Sequence, residues 1–127
     1  MARNQECKPV NGVVAVTEYS IIEPRNSVEA LQAALSKQVV SIRLAASAPS
    51  FRNYQSGIYD DEACALYGIS HAVNAVGYGQ EAGQDYFIVR NSWSASWGEQ
   101  GYIRIAAVNG PGICRMLEGP SSMPLTE

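Results

Sequence analysis

The sequence predicts an α+β domain dominated by antiparallel strands, with one main helix over about residues 27–37. Three observations carry this expectation. Residues 72–78 and 86–90 are apolar, partly β-branched runs, and the polar segment between them, residues 79–85, is bounded by glycine, which reads as a hairpin with a longer loop. Residues 39–44 alternate with period two. Only residues 27–37 repeat apolar side chains at helical spacing, through Val28, Leu31 and Leu35. A chain of 127 residues is long enough for one domain, taken as 1–127, and its 46% hydrophobic content supports a core rather than disorder.

Each element has its own warrant. Val13–Tyr19 is rich in β-branched residues and reads as a strand. Pro24 interrupts the chain after it, and Asn26 with Glu29 three residues on resembles a capping box that starts the helix. In the next strand Val40, Ile42 and Leu44 point one way, Ser41 and Arg43 the other. Ala45–Ser50 is a small-residue loop with Pro49, and Phe51, Tyr54 and Tyr59 surround a turn at Ser56-Gly57. A hairpin symmetric about Glu81 sets Val76 opposite Tyr86, Ala75 opposite Phe87, Val73 opposite Val89 and His71 opposite Asn91. Opposed residues of an antiparallel pair lie roughly 4.5–5.5 Å apart on one face, so this register brings an imidazole beside a carboxamide.

That pairing suits nucleophile activation. An amide oxygen that accepts from one ring nitrogen fixes the tautomer and leaves the other nitrogen to exchange a proton with a thiol or hydroxyl. The plainer reading makes His71 an ordinary strand-end histidine and Asn91 a turn residue. Composition excludes other classes: net charge is −3, with no basic run of five or more for nucleic acid and no apolar stretch near 18 residues for a membrane span. One histidine and three scattered cysteines give no metal-ligand spacing, and no cofactor is expected. Residues 1–8 lack the apolar core of a signal peptide.

Beyond these readings, His71-Ala72-Val73, Ala75-Val76-Gly77-Tyr78-Gly79, Asn91-Ser92-Trp93 and Trp97-Gly98-Glu99-Gln100-Gly101-Tyr102-Ile103-Arg104-Ile105 resemble the papain-family cysteine peptidases. Residues 29–44 and the aromatic segment 51–59 resemble the same family, so the likeness covers its carboxyl-terminal half, the barrel-like, β-rich lobe. The resemblance implies His71 as general base, Asn91 as the residue that orients it, and Trp93 and Trp97 as aromatics shielding the site. Simple core packing is the alternative for the tryptophans. Ala72 and Arg43 fall where members line a substrate pocket. Arg43 there would favour an acidic or polar side chain, or else lie along a rim with its head in water. Cys64 and Cys114 match positions that form a disulfide in many plant-type members, with a reactive thiol as the other reading. Cys7 matches a cysteine whose usual partner lies in the other half.

No stretch of the 127 residues resembles the segment that carries the nucleophilic cysteine and the oxyanion glutamine. Alone, the chain is therefore expected not to hydrolyse a peptide bond. Two roles remain: the histidine–asparagine half of a cysteine endopeptidase whose thiolate comes from elsewhere, or a non-catalytic lobe that acts as a structural or interaction subunit. Either implies a protein partner across the former inter-lobe face, and the first a peptide substrate as well. Compartment is inferred only by analogy, as lysosomal, vacuolar or secreted. Three departures from the family pattern stand out: Ser70 in place of aspartate, Ser94 in place of glycine, and Arg115 in place of glycine after Cys114.

Overall fold

The computed structural model describes residues 16–118 and 121–126. Seven strands form one sheet: β1 (Val16–Ile21), β2 (Val40–Leu44), β3 (Ile58–Tyr59), β4 (His71–Glu81), β5 (Gln84–Arg90), β6 (Tyr102–Ala106) and β7 (Ser122–Thr126). They lie in the order β1-β7-β2-β4-β5-β6-β3. Every neighbouring pair is antiparallel except the short β3, which runs parallel to β6. This is the β-dominated α+β lobe, with α1 (Val28–Leu35) as its main helix packed against β4. Residues 13–15 of the first anticipated strand, and Cys7, lie outside the described residues.

Helix α1 begins one residue later than its sequence cue. Ser27, not Asn26, is the N-cap: its hydroxyl accepts from the Ala30 N–H at 3.1 Å. Asn26 is instead held at φ 63° by tertiary bonds, donating its N–H to the Leu117 carbonyl and accepting from the Gly110 N–H, each at 3.0 Å. The Val28 N–H is capped from far along the chain by Asn109 Oδ1 at 2.8 Å. At the other end the bond from the Lys37 N–H to the Ala34 carbonyl tightens the last turn, so the helix stops at Leu35. Val28, Leu31, Ala34 and Leu35 form its buried stripe. The anticipated loop at 45–50 also ends early, because Pro49, at the first helical position, opens a single turn, α2 (Pro49–Arg52).

Strand β2 alternates as its sequence does, with Val40, Ile42 and Leu44 buried and Ser41 and Arg43 exposed. The hairpin differs from its expected register. Ala82 and Gly83 make a two-residue turn with φ of 51° and 80°, the positive pair that matches the twist of the flanking strands. The strands therefore run to Glu81 and Gln84, which pair directly, and no longer loop exists. Tyr78 pairs with Phe87; a bulge between Ala75 and Gly77 then shifts the register, so that Ala75 pairs with Val89 and Asn74 with Arg90.

Cys64 and Cys114, both fully buried, are joined as a disulfide with Cα atoms 4.8 Å apart. It ties the single-turn helices Glu62–Leu66 and Ile113–Arg115 across 50 residues. Closing a loop of that length removes about 4 kcal/mol of denatured-state entropy in the chain-entropy model. The tie sits only seven residues before His71, fixing the segment that leads into β4.

Candidate active site

His71 is the first residue of β4 and pairs with Leu44 of β2. Extending the observed β4–β5 register sets Trp93, not Asn91, across from it. Asn91 lies on the diagonal, two residues away and so on the same face, within reach of a long side chain. The contact is made: His71 Nε2 is 2.8 Å from Asn91 Oδ1. The proximity expected from sequence is present, reached through a different register.

Hydrogen bonding fixes the direction of that contact. The Ser92 N–H donates to the same Asn91 atom at 2.7 Å, so that atom must be the acceptor oxygen. His71 Nε2 therefore carries the hydrogen and donates it, and Nδ1 keeps its lone pair. A flipped amide would set its NH₂ against the Ser92 N–H. Asn91 Nδ2 is buried without a hydrogen-bond partner among the described residues, so the two donors at the oxygen decide the orientation. Asn91 is 6% exposed, and its own N–H donates to the Gly101 carbonyl at 3.0 Å.

An aromatic layer holds the imidazole plane. Trp93 stacks on His71 with centroids 5.3 Å apart and planes 23° apart. Trp93 is in turn met edge-on by Phe51 at 5.7 Å and by Trp97 at 5.3 Å. Trp97 is buried and donates its indole N–H to the carbonyls of Phe51 at 3.2 Å and Arg52 at 3.1 Å. Of the two tryptophans, then, Trp93 touches the histidine, and Trp97 stands one ring behind it and buttresses Trp93. Phe51 and Tyr54 complete the layer. In the sequence these two read as flanks of a turn and as part of the aromatic segment that resembles the family, without a place at the site.

The loop that carries Trp93 and Trp97 is closed by backbone and charge. Gly98 has φ 60°, and a Cβ there would lie 2.6 Å from the Tyr102 carbonyl oxygen and 3.0 Å from the Tyr54 ring, so only glycine fits. Glu99 takes the Arg104 guanidinium in a two-point pair at 2.9 and 3.0 Å and accepts the Gly57 N–H at 3.1 Å. Those guanidinium bonds hold the Glu99 carboxyl below its ordinary range, while burial pushes the Tyr54 hydroxyl up. Arg104 also pairs with Glu81 at the hairpin turn.

The departures from family pattern have local accounts. The Ser70 hydroxyl accepts from the Ala46 N–H at 3.3 Å, and the Ser70 N–H donates to the Leu44 carbonyl at 3.1 Å, so the residue before His71 is pinned to the end of β2. Ser94 adopts φ 85°, a left-handed conformation that costs a non-glycine residue on the order of 1–3 kcal/mol, and its hydroxyl meets that of Ser96 at 2.8 Å. Arg115 stands at φ 59°, a conformation that glycine adopts without a Cβ penalty. Its guanidinium makes a two-point pair with Glu118 at 2.6 and 2.7 Å and donates to the Tyr67 carbonyl at 3.4 Å.

Arg43 and Ala72 pair across β2 and β4 on the outer face of the sheet, one step from the Leu44–His71 pair. They line an open groove of about 360 Å³ together with Ile21, Ser41, Ile42 and Ser122. Cys64 and Cys114 are bonded to each other, so neither offers a thiol to His71.

Residues 1–123 match the family model described as papain family cysteine protease. Cysteine proteinase 3 of Dictyostelium discoideum is 43% identical over 124 residues, covering 94% of this chain and 36% of its own length. Digestive cysteine proteinase 1 of Homarus americanus is 36% identical over 107 residues, covering 83% of this chain and 33% of its own. A solved structure of the bromelain protease from Ananas comosus, in complex with an inhibitor, superposes with a TM-score of 0.81 at 36% identity, over 93% of this chain and 54% of that one. The chain thus spans about a third of the length of these curated relatives. Likeness in sequence and in fold extends through both the β-rich lobe and the His71–Asn91 hairpin, and this chain belongs to the papain family of cysteine proteases.

Proposed function

We propose that the chain supplies the histidine–asparagine half of a cysteine endopeptidase centre, with the thiolate provided from outside these 127 residues. The observation that carries this reading is the Asn91 oxygen held by the Ser92 N–H at 2.7 Å, which commits His71 Nε2 as donor and leaves Nδ1 as the working base. In acylation Nδ1 takes the thiol proton, and the thiolate attacks the peptide carbonyl. The imidazolium then gives that proton to the leaving amine. In deacylation Nδ1 takes a proton from water, the hydroxide adds to the thioester, and the proton returns to the departing thiolate. Asn91 stabilises the imidazolium through its oxygen, and Trp93, stacked on the ring, keeps water from the Nε2–Oδ1 bond, with Trp97 holding Trp93 in place. The nucleophile's carrier docks so that its thiol meets His71 Nδ1 and is the protein partner of this lobe.

Native mass spectrometry of the protein from its source, before and after an active-site-directed thiol alkylator, tests the reading. One alkylator taken up by a cysteine outside these 127 residues is the expected result, and His71→Ala then loses both the labelling and peptide cleavage, the latter by roughly 10²–10⁴-fold. Labelling confined to Cys7 contradicts the reading. A particle that takes up no alkylator contradicts it and leaves a non-catalytic lobe serving as an interaction subunit.

A further inference from the structure

Asn109-Gly110 lies in the turn between β6 and the single-turn helix Ile113–Arg115. An asparagine followed by glycine carries a reaction of its own, and asparagine counts among the thermolabile residues. The amide nitrogen of the glycine attacks the side-chain carbonyl carbon of the asparagine, ammonia leaves, and a cyclic imide remains. Water then opens the ring at either carbonyl, giving an aspartate or an isoaspartate. Glycine favours the attack because no Cβ shields its nitrogen. Asn109 is exposed, so water reaches it. Both reacting groups are nonetheless engaged. The Gly110 N–H donates to the Asn26 carbonyl at 3.0 Å, and Asn109 Oδ1 accepts the Val28 N–H at 2.8 Å. The Val28 bond alone would polarise the carbonyl carbon toward attack; the Asn26 bond withholds the attacking nitrogen.

The guarding carbonyl is itself held by the fold. Asn26 reaches Gly110 from a left-handed backbone, φ 63°, which its own N–H fixes by donating to the Leu117 carbonyl at 3.0 Å. The Asn26 and Val28 contacts together join the start of α1 to a turn 81 residues beyond Val28. We propose that Asn109 is a deamidation site which the seating of α1 keeps closed, so that its conversion records opening of the α1 N-terminus. The two products act differently on that join. An aspartate keeps an oxygen for the Val28 N–H and adds negative charge at a helix N-terminus, where it is favourable. An isoaspartate carries the main chain through the side-chain carbon, and the added methylene displaces the Gly110 N–H from the Asn26 carbonyl. The released ammonia is lost to water, so the mark does not revert. The inference does not depend on the peptidase reading.

Peptide mapping by mass spectrometry tests it on the intact protein, incubated at mildly alkaline pH and then digested, by following conversion at Asn109. Conversion is expected to be roughly tenfold slower in the native protein than in the urea-unfolded chain, about the factor that opening two hydrogen bonds requires. Asn26→Val places a β-branched side chain where positive φ is strongly disfavoured, which withdraws the guarding carbonyl. That variant, while folded, should convert about fivefold faster than the unaltered protein, the factor for one bond. Asn26→Gly keeps the left-handed backbone and should keep the native rate. Native protein converting at the unfolded rate, or a folded Asn26→Val converting no faster than the unaltered protein, overturns the assignment. Asn26→Gly converting as fast as Asn26→Val does so too. Where Asn26→Val does not fold, the native-against-unfolded ratio decides alone.

Discussion

The two ends of the β4–β5 hairpin are held by different physics. At the closed end, Glu81 and Gln84 are set opposite each other by a two-residue turn at Ala82-Gly83, and the side chains around it are exposed. The two-residue turn sets that register, and the Gln80–Asp85 bond at 2.9 Å and the Glu81–Arg104 pair add to it. At the open end no turn constrains the strands, and His71 meets Asn91 because the Ser92 N–H, the Gly101 carbonyl and the stacked Trp93 each fix one degree of freedom. The bulge between Ala75 and Gly77 lies between the two ends and offsets their registers. The geometry of His71 is thus set by tertiary packing beside it rather than by the turn, so damage at the closed end should reach it weakly.

The strongest way to break that contrast is to remove the packing at the open end. Trp97→Ala deletes a buried ring that supports Trp93 and satisfies two carbonyls, and it should lower unfolding free energy by about 3–5 kcal/mol in urea titration. It should also loosen the His71–Asn91 bond. An intact bond in a destabilised Trp97→Ala protein would show that Trp93 needs no buttress.

Arg104 reaches both ends, pairing with Glu81 at the turn and Glu99 in the tryptophan loop. The Glu99 carboxyl titrates lower in the fold than its ordinary 4.5 because the guanidinium binds its charged form. A depressed folded value contributes stability that is complete above pH 4.5 and is lost as pH falls below it, through the folded value. Acid unfolding of the native protein should therefore steepen below pH 4.5, with the tryptophan fluorescence responding first. Glu99→Gln should flatten that limb. An unchanged acid limb in Glu99→Gln would remove Glu99 from the account.

The smallest effect is expected at the closed end. Ala82 stands at φ 51°, which glycine adopts without a Cβ clash, although glycine also frees the unfolded chain. Ala82→Gly should stabilise by about 1 kcal/mol or less and leave the His71 environment unchanged. A large shift of the histidine resonances in that variant would contradict the weak reach of the closed end.

What can be read from sequence divides along the same line. Period-two burial in β2 and the apolar stripe of α1 depend on local spacing, and both are present. The helix starts after Ser27 rather than Asn26 because Asn26 is claimed by Leu117 and Gly110, and Asn109 caps Val28 from 81 residues away, none of which local sequence reports. The tight hairpin turn is hidden because Ala82 lacks the asparagine or glycine that usually marks positive φ. The pairing of His71 with Asn91 tolerates the difference in register because the displacement across the site is two residues, which preserves the face. A displacement of one would have separated them. The direction of their hydrogen bond cannot be read from sequence, since it depends on the Ser92 N–H.

The central claim is that direction, and the chain's single histidine makes it directly observable. The ¹⁵N spectrum of the imidazole at a pH where it is neutral distinguishes the two tautomers. The account predicts hydrogen on Nε2 with a bare Nδ1, and in Asn91→Ala a mixture of both forms. Hydrogen on Nδ1, or a mixture in the unaltered protein, would contradict it, because His71 would then have no nitrogen committed to Asn91 and no free base to offer a thiol.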